Sequence, residues 1–512
     1  MIKKTRWRFD RPESLEITKS PSLKVNIFVP CRSGQEKLNL TVASLAAQDY
    51  PAELVHLYII DDGSSPRLTL PEIRPLNTTL IYVDNTNGSW GKASATNYAV
   101  TIASKADVYW FLDSDMVVEA SHLSHHMKWH HEADDYLVLG WKNFVRDWEQ
   151  KPGELYNKLS SMKFNEIYNE TTPHLYWEAR VGSSNSFQNY DLENFRGLVG
   201  ATFSMSRASW EELGGYNKSF ITSEDIELGW RALLAGLRFV PEREAQSYHL
   251  GINTIEDNKE TILKHNAPMI ANKIPALTYL RKKNGLTFEV PEQLIIMDAR
   301  NIESSYFINF VTTLLKDEFN QTRFLILGNW LNLTERYSPL NDDLKDLREI
   351  FRWINSDTRF TLEEINSSHY LSVDEILSKV TSSSTPFIIF NEGKAFEGVK
   401  LKDLKLSLLT SKNGLEGFVS EEDERLFILF TPAIATARRG EGSLHKNLES
   451  IWGVSWLAKN EFKSLEKSKY IMAWKFAKYA GRRVKQVRSP GQLYKLFKRA
   501  LDIYKMKIFR KV

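Results

Sequence analysis

Between Lys24 and about Gly251, short β-rich runs alternate with helical stretches, and this alternation constrains the fold more than any other feature of the 512-residue chain. KVNIFVP reads as a strand, EKLNLTVASLAAQDY as a helix and HLYIIDDGSS as a strand closing in turn residues; SATNYAVTIASKA then reads as a helix and VYWFLDSD as a strand. A helix between two strands covers one face of the sheet they share, so the pattern predicts an α/β domain with a largely parallel sheet. Ligands of such sheets gather outside the carboxyl ends of the strands. Two acidic clusters, Asp61-Asp62 and Asp113-Ser114-Asp115, fall at those ends.

The second cluster is the more demanding. In VYWFLDSDMVV, residues 108–118, an apolar run enters two aspartates one residue apart and leaves into three more apolar residues. Paired carboxylates repel unless they face open water or share a cation. The sequence so far leaves both readings open.

A chain of this length predicts more than one core. We divide it into an N-terminal extension (1–23), an α/β domain (24–290), an accessory α/β domain (291–460) and a tail (461–512). Strands of the accessory domain are expected in QLIIMD, RFLILG, TPFIIFN and RLFILF. Hydrophobic residues at 42% and charged residues at 26% describe a globular protein, and a net charge of +3 excludes a generally basic nucleic-acid binder. The single cysteine, Cys31, excludes an intramolecular disulfide and suggests a reducing compartment. No apolar run reaches the ~18 residues of a membrane span. The tail is different in kind: residues 463–512 hold sixteen Lys/Arg against two Asp/Glu. Within it, Leu493, Leu496, Phe497, Ala500, Leu501, Tyr504 and Ile508 form one apolar stripe. That pattern fits a basic amphipathic helix on an anionic membrane surface, or a terminal helix packed on the protein with solvated lysines.

The order of motifs from residue 24 to 251 resembles a family 2 glycosyltransferase with the Rossmann-like GT-A fold. The residues that carry the resemblance are VNIFVPCRSG, the YIIDDGSS turn, the loop NTNGSWGKASATN and the DxD element FLDSD. They continue in FRGLVGATFSMSRASWEELGGYNKSFITSEDIELGWRALLAG. The resemblance implies a nucleotide-sugar donor. Pro30, Arg32, Asp61 and Asp62 would then face the base, and a carboxylate that accepts the N3–H of uracil favours uridine diphosphate. Lys92 would contact the diphosphate, or stand as a surface lysine. Asp113, Ser114 and Asp115 would meet the donor, with Asp113 and Asp115 holding Mn²⁺ or Mg²⁺. His249 corresponds to a late histidine that completes the metal shell, though an isolated histidine is otherwise a structural residue. Asp225, with Glu224 beside it, corresponds to the family's general base.

Three further features are read more plainly. The cluster HLSHHMKWHH, 122–131, is expected to be a solvated helix face. Trp230 is either a core residue or a stacking platform for acceptor sugar. The accessory domain is either unrelated or a degenerate GT-A unit, with TPFIIFNEGKAF laid on VYWFLDSDMV so that Asn391 falls at Asp113 and Gly393 at Asp115.

The expected function is metal-dependent, inverting transfer of a sugar from a nucleotide diphosphate sugar to a hydroxyl of a glycan, glycolipid or cell-envelope polymer. The expected place is the cytoplasmic face of the cell membrane, with no nucleic-acid partner. A nucleotidyltransferase would also use paired aspartates, but no Gly-rich, lysine-containing phosphate loop follows the first strand. A non-catalytic glycan-binding or scaffold subunit is the other alternative.

Overall fold

The computed structural model describes residues 11–83, 91–189, 191–251, 259–281, 286–318, 321–366, 371–380, 384–396, 399–420 and 423–457. The basic tail, including the amphipathic stripe, lies outside the described residues. Among those described, no helix is long and apolar enough to cross a membrane.

The N-terminal domain carries strands β1 (Val25–Cys31), β2 (Val55–Asp61), β3 (Thr78–Tyr82), β4 (Val108–Leu112), β5 (Met116–Val118), β6 (Tyr136–Val145), β7 (Thr171–Pro173), β8 (Thr202–Ser206) and β9 (Arg238–Leu250). Its helices are α1 (Gln35–Ala46), α2 (Lys92–Ile102), α3 (His122–Glu132), α4 (Pro152–Ser161), α5 (Leu175–Ser183), α6 (Arg207–Leu213), α7 (Glu224–Leu234) and α8 (Lys259–Lys273). The sheet runs β3-β2-β1-β4-β8-β6-β9-β5, with β7 on the edge of β6. Strands β1 to β4 are mutually parallel. Their near-continuous apolar sequences, VNIFVPC and VYWFL, are buried almost throughout, as a sheet covered on both faces requires. Beyond β4 the sheet changes character, because β8 is antiparallel to both β4 and β6.

The second domain forms a seven-stranded sheet from β10 (Gln293–Asp298), β11 (Thr322–Gly328), β12 (Phe360–Glu364), β13 (Phe387–Glu392), β14 (Leu415–Val419), β15 (Arg425–Phe430) and β16 (Val454–Leu457). Its helices are α9 (Ser304–Glu318), α10 (Lys345–Ile354), α11 (Val373–Ser378), α12 (Leu401–Ser411), α13 (Thr431–Arg438) and α14 (Leu444–Ile451). The order is β12-β11-β10-β13-β15-β14-β16. Four parallel strands are again followed by an antiparallel one, β15, and then by β14 and β16.

One continuous apolar core joins the two sheets, running from Phe28, Phe111 and Trp210 through Ile270 and Leu277 to Ile295, Phe390 and Phe430. At the seam α7 is followed by Gly236, whose φ of +74° suits glycine and whose absent side chain admits the second domain. A Cβ there would stand 2.5 Å from Thr436 Cγ2 and 2.9 Å from the Pro432 carbonyl oxygen. Arg439 closes the seam by donating to the Ala235 carbonyl at 2.7 Å and to Glu212 at 3.0 Å.

The histidine-rich helix corrects the sequence reading. His122, His126 and His130, spaced four apart, form the inner face of α3 and are at most 2% exposed. The sheet beneath meets one ring nitrogen of His126 and of His130, since His126 Nδ1 and His130 Nε2 each lie 2.8 Å from Ser204 Oγ, and His122 Nδ1 donates to the Gln246 carbonyl at 2.8 Å; His126 Nε2 and His130 Nδ1 are buried with no partner among the described residues. Trp110, His122 and His126 stack in succession. Trp230 is a core residue, 1% exposed.

Candidate active site

A cleft of about 350 Å³ opens at the carboxyl ends of the parallel strands. It is lined by Pro30 from the end of β1, Asp113, Ser114 and Asp115 after β4, Ser223, Glu224 and Asp225 at the start of α7, and His249 near the end of β9. The turn carrying the two aspartates is pinned from three sides. Asp113 N–H donates to the Ala201 carbonyl at 2.9 Å, Thr41 Oγ1 donates to the Ser114 carbonyl at 2.8 Å, and Leu250 N–H donates to the Asp115 carbonyl at 2.8 Å.

Asp115 Oδ2 lies 3.5 Å from His249 Nε2. On the other side of the imidazole, Nδ1 faces the Gly251 carbonyl at 3.3 Å. A carbonyl only accepts, so the proton belongs on Nδ1 and Nε2 presents a lone pair to the carboxylate. Two acceptors that converge in this way fit a divalent cation, whose adjacent ligand atoms stand roughly 3 Å apart in octahedral coordination. Burial pushes the Asp115 carboxyl up, with Asp113 adding to the rise and His249 and Lys37 opposing it. A bound cation would relieve that burden.

Lys92 is half-buried in the wall of the cleft and is engaged there by neighbouring groups. Its ammonium donates to Asp113 Oδ1 at 2.6 Å and to the Gly200 carbonyl at 3.2 Å, and stands 3.7 Å from Glu224 Oε1. Burial alone would lower its pKa, but Asp113 and Glu224 outweigh that and hold it well above the ordinary lysine value. Gly200 also donates its N–H to Asp225 Oδ2 at 2.9 Å, so the backbone of a single residue holds Lys92 through its carbonyl and Asp225 through its N–H. A Cβ on Gly200 would come within 2.8 Å of Lys92 Nζ. Glu224, buried beside these groups, has its carboxyl pushed up to about 7 by burial, against the pull of Lys92. Glu227, one turn further on, is taken by Arg231 at 2.6 Å.

The base-facing set divides. Asp61 is spent on its own turn, accepting from Ser64 N–H at 2.8 Å and Leu68 N–H at 2.9 Å. Asp62 Oδ1 is buried with no partner among the described residues, and burial pushes that carboxyl up while Arg32 opposes the rise. Arg32, Asp61 and Asp62 do not line the cleft that holds the other candidates.

Sequence reasoning missed Lys37, Lys142 and Asn266. Lys37 donates to the Leu250 carbonyl at 2.6 Å and lies 3.9 Å from Asp115. Asn266, from α8, donates to Thr222 Oγ1 at 2.7 Å and to Ser223 Oγ at 2.9 Å. It thereby fixes the turn where Ser223 adopts φ +66° just before Glu224 and Asp225. A second acidic group, His125, Glu242 and Glu244, lies within reach of a common ion. There the Lys128 ammonium already bridges both glutamates, at 3.2 and 2.8 Å.

Residues 21–267 match the family model described as glycosyltransferase like family 2. This domain is a family 2 glycosyltransferase domain. The match embraces every residue of the cleft, and it supports glycosyltransferase activity for this domain. No curated protein sequence matches it. Among solved structures, the mannosyltransferase PcManGT from Pyrobaculum calidifontis, in complex with GDP-Man and Mn²⁺, is 15% identical and aligns over 54% of this chain and 74% of its own, with a TM-score of 0.35. Residues 1–349 of S. aureus TarS, in complex with UDP-GlcNAc, are 19% identical over 49% of this chain and 67% of that one, with a TM-score of 0.32. Against the S. aureus TarS structure of which this chain covers 40%, the identity is 17% and the TM-score 0.32.

Proposed function

We propose that the glycosyltransferase domain performs a metal-dependent, inverting transfer from a nucleoside diphosphate sugar to a hydroxyl of a glycan, glycolipid or cell-envelope polymer. The convergence of Asp115 and His249 carries this reading. Asp115, His249 and Asp113 would hold Mn²⁺ or Mg²⁺, which when bound screens the charge of the diphosphate. Uridine is the favoured base, since the unpartnered Asp62 Oδ1 is an acceptor for its N3–H.

Asp225, held by the Gly200 N–H, accepts the proton of the acceptor hydroxyl. The acceptor oxygen forms its bond to the anomeric carbon as the carbon–oxygen bond to the phosphate breaks on the opposite side. Lys92 keeps Asp113 and Glu224 from repelling one another across the cleft. Asp225→Asn is expected to leave donor binding within about 3-fold of wild type and to reduce turnover ~10²-fold or more. Lost donor binding with unchanged turnover at saturation would move the base to Glu224.

The second domain we read as a degenerate copy of the first, on the support of the repeated strand order. In β8, Ser206 immediately precedes α6 and pairs with Val108; in β15, Phe430 immediately precedes α13 and pairs with Phe387. Counting from these pairs sets Glu392 at Asp113 and Lys394 at Asp115, one residue on from the alignment of Asn391 and Gly393 suggested by sequence. Glu392 is bound by Arg425 at 2.8 Å, Gly328 falls at Asp61, and His445 of α14 falls at Asp225. On this reading the chain has one catalytic centre, and its basic tail holds it on the cytoplasmic face of an anionic membrane.

A further inference from the structure

Three lysines line the cleft, and two are already engaged. Lys92 is bound by Asp113 and Gly200, and Lys37 by the Leu250 carbonyl, with its ammonium 5.4 Å from the centre of the Trp148 ring. The third, Lys142, is different. It rises from β6 just past the register slip between Gly140 and Trp141, and it is only 6% exposed. Its ammonium lies 5.3 Å from the Phe144 ring centre and makes no hydrogen bond or ion pair with any described residue. Burial lowers its pKa and the Lys92 ammonium adds to the fall, while the carboxylates of Asp113, Asp225 and Asp115 oppose it and favour the charged form.

An ammonium at the wall of an active cleft, with an aromatic ring beside it and no carboxylate in contact, is arranged for an anion that arrives with the substrate. The acceptor side of the cleft already holds the carboxylate of Asp225, which would repel an acidic acceptor. The donor brings a diphosphate. Its leaving half gains charge as the glycosidic bond breaks, because the electron pair of that bond stays on the phosphate oxygen.

Resting on the donor class proposed above, we propose that Lys142 is a catalytic residue that donates a charge-assisted hydrogen bond to the departing phosphate of the nucleoside diphosphate. The anomeric carbon exchanges its bond to that phosphate oxygen for a bond to the acceptor oxygen. The acceptor proton passes to Asp225, and Lys142 retains its own protons throughout. A monophosphate, which lacks the second phosphate, leaves Lys142 without a partner.

The test compares ligands that differ only in that group. UDP, UMP, GDP and GMP are titrated with Mn²⁺ into the full chain and into Lys142→Met and Lys142→Arg. Lys142→Met is expected to weaken the nucleoside diphosphate ~10-fold or more, to leave the monophosphate of the same base unchanged, and to lower kcat more than it raises the donor KM. Lys142→Arg restores part of the diphosphate affinity. Equal weakening of both ligands, no weakening of either, or a rise confined to the acceptor KM would overturn the assignment. If Lys142→Met does not fold, the ratio of diphosphate to monophosphate affinity in Lys142→Arg decides, with an unchanged ratio contradicting the role. A wild-type chain that binds neither UDP nor GDP overturns the donor reading itself, whereas tight wild-type binding matched by the variants overturns only Lys142.

Discussion

At the residue scale, the cleft combines acids at a strand end and a helix start with single polar residues brought in by packing. Asp113, Asp115, Glu224 and Asp225 announce themselves as acids at a strand end and a helix start, and the cleft gathers all four with His249. Lys37, Lys142 and Asn266 are single polar residues inside a helix, a strand and another helix. Nothing local marks them, because their roles come from the packing of α1, β6 and α8 around the cleft. Asn266 is 1% exposed and ties the backbone that aims α7 at the cleft. Asn266→Ala leaves the hydroxyls of Thr222 and Ser223 without their donor, and is expected to cost about 1–3 kcal/mol of stability with a fall in kcat. Denaturant titration and steady-state kinetics check this, and wild-type values in both would show that the turn holds itself.

At the scale of elements, the parallel half of the sheet followed from apolar runs alternating with helices, whereas the antiparallel crossing at β8 did not. SMS at the end of β8 reads as an ordinary half-polar strand, yet Ser204 is the hydroxyl that receives His126 and His130. The mistaken solvated face of α3 has the same origin: histidine counts as polar in a pattern, but four-residue spacing against a hydroxyl-bearing strand lets it be buried. Burial has a consequence for pH. It holds His122 and His130 down at about 3, with His126 lowered in the same direction, against 6.5 for a free imidazole. The unfolded chain therefore binds protons that the folded chain excludes between about pH 3 and 6.5. Stability is full above 6.5 and falls as pH drops below it, by up to ~1.4 kcal/mol per histidine for each pH unit. Urea unfolding at pH 7.5 and 5.5 is expected to show a lower midpoint at 5.5, and equal midpoints would contradict the buried neutral ladder.

At the scale of the molecule, two sheets that share a strand order once the short β5 and β7 are set aside meet in one core, and the candidate residues gather in the cleft at the strand ends of the first. The second sheet was readable as α/β, but the register proposed for it on the first was not, since matching apolar residues sets Asn391 at Asp113, whereas strand pairing sets this buried asparagine at Leu112. The tail was readable only as composition. If it anchors the enzyme, truncation after Phe462 should release the protein from vesicles containing anionic lipid and leave transfer to a soluble acceptor largely intact, and added salt should do the same to the full chain. Sedimentation with vesicles measures this, and binding indifferent to lipid charge and salt would contradict the anchor. Catalysis as proposed requires a cation between Asp115 and His249. Calorimetric titration of UDP into the full chain, with Mn²⁺ and with excess chelator, and into Asp115→Asn with Mn²⁺, tests it most directly. The wild type is expected to bind UDP with Mn²⁺ and to lose ~10²-fold or more both in chelator and in Asp115→Asn, with the fold intact by circular dichroism. UDP binding of equal strength in all three conditions would contradict it.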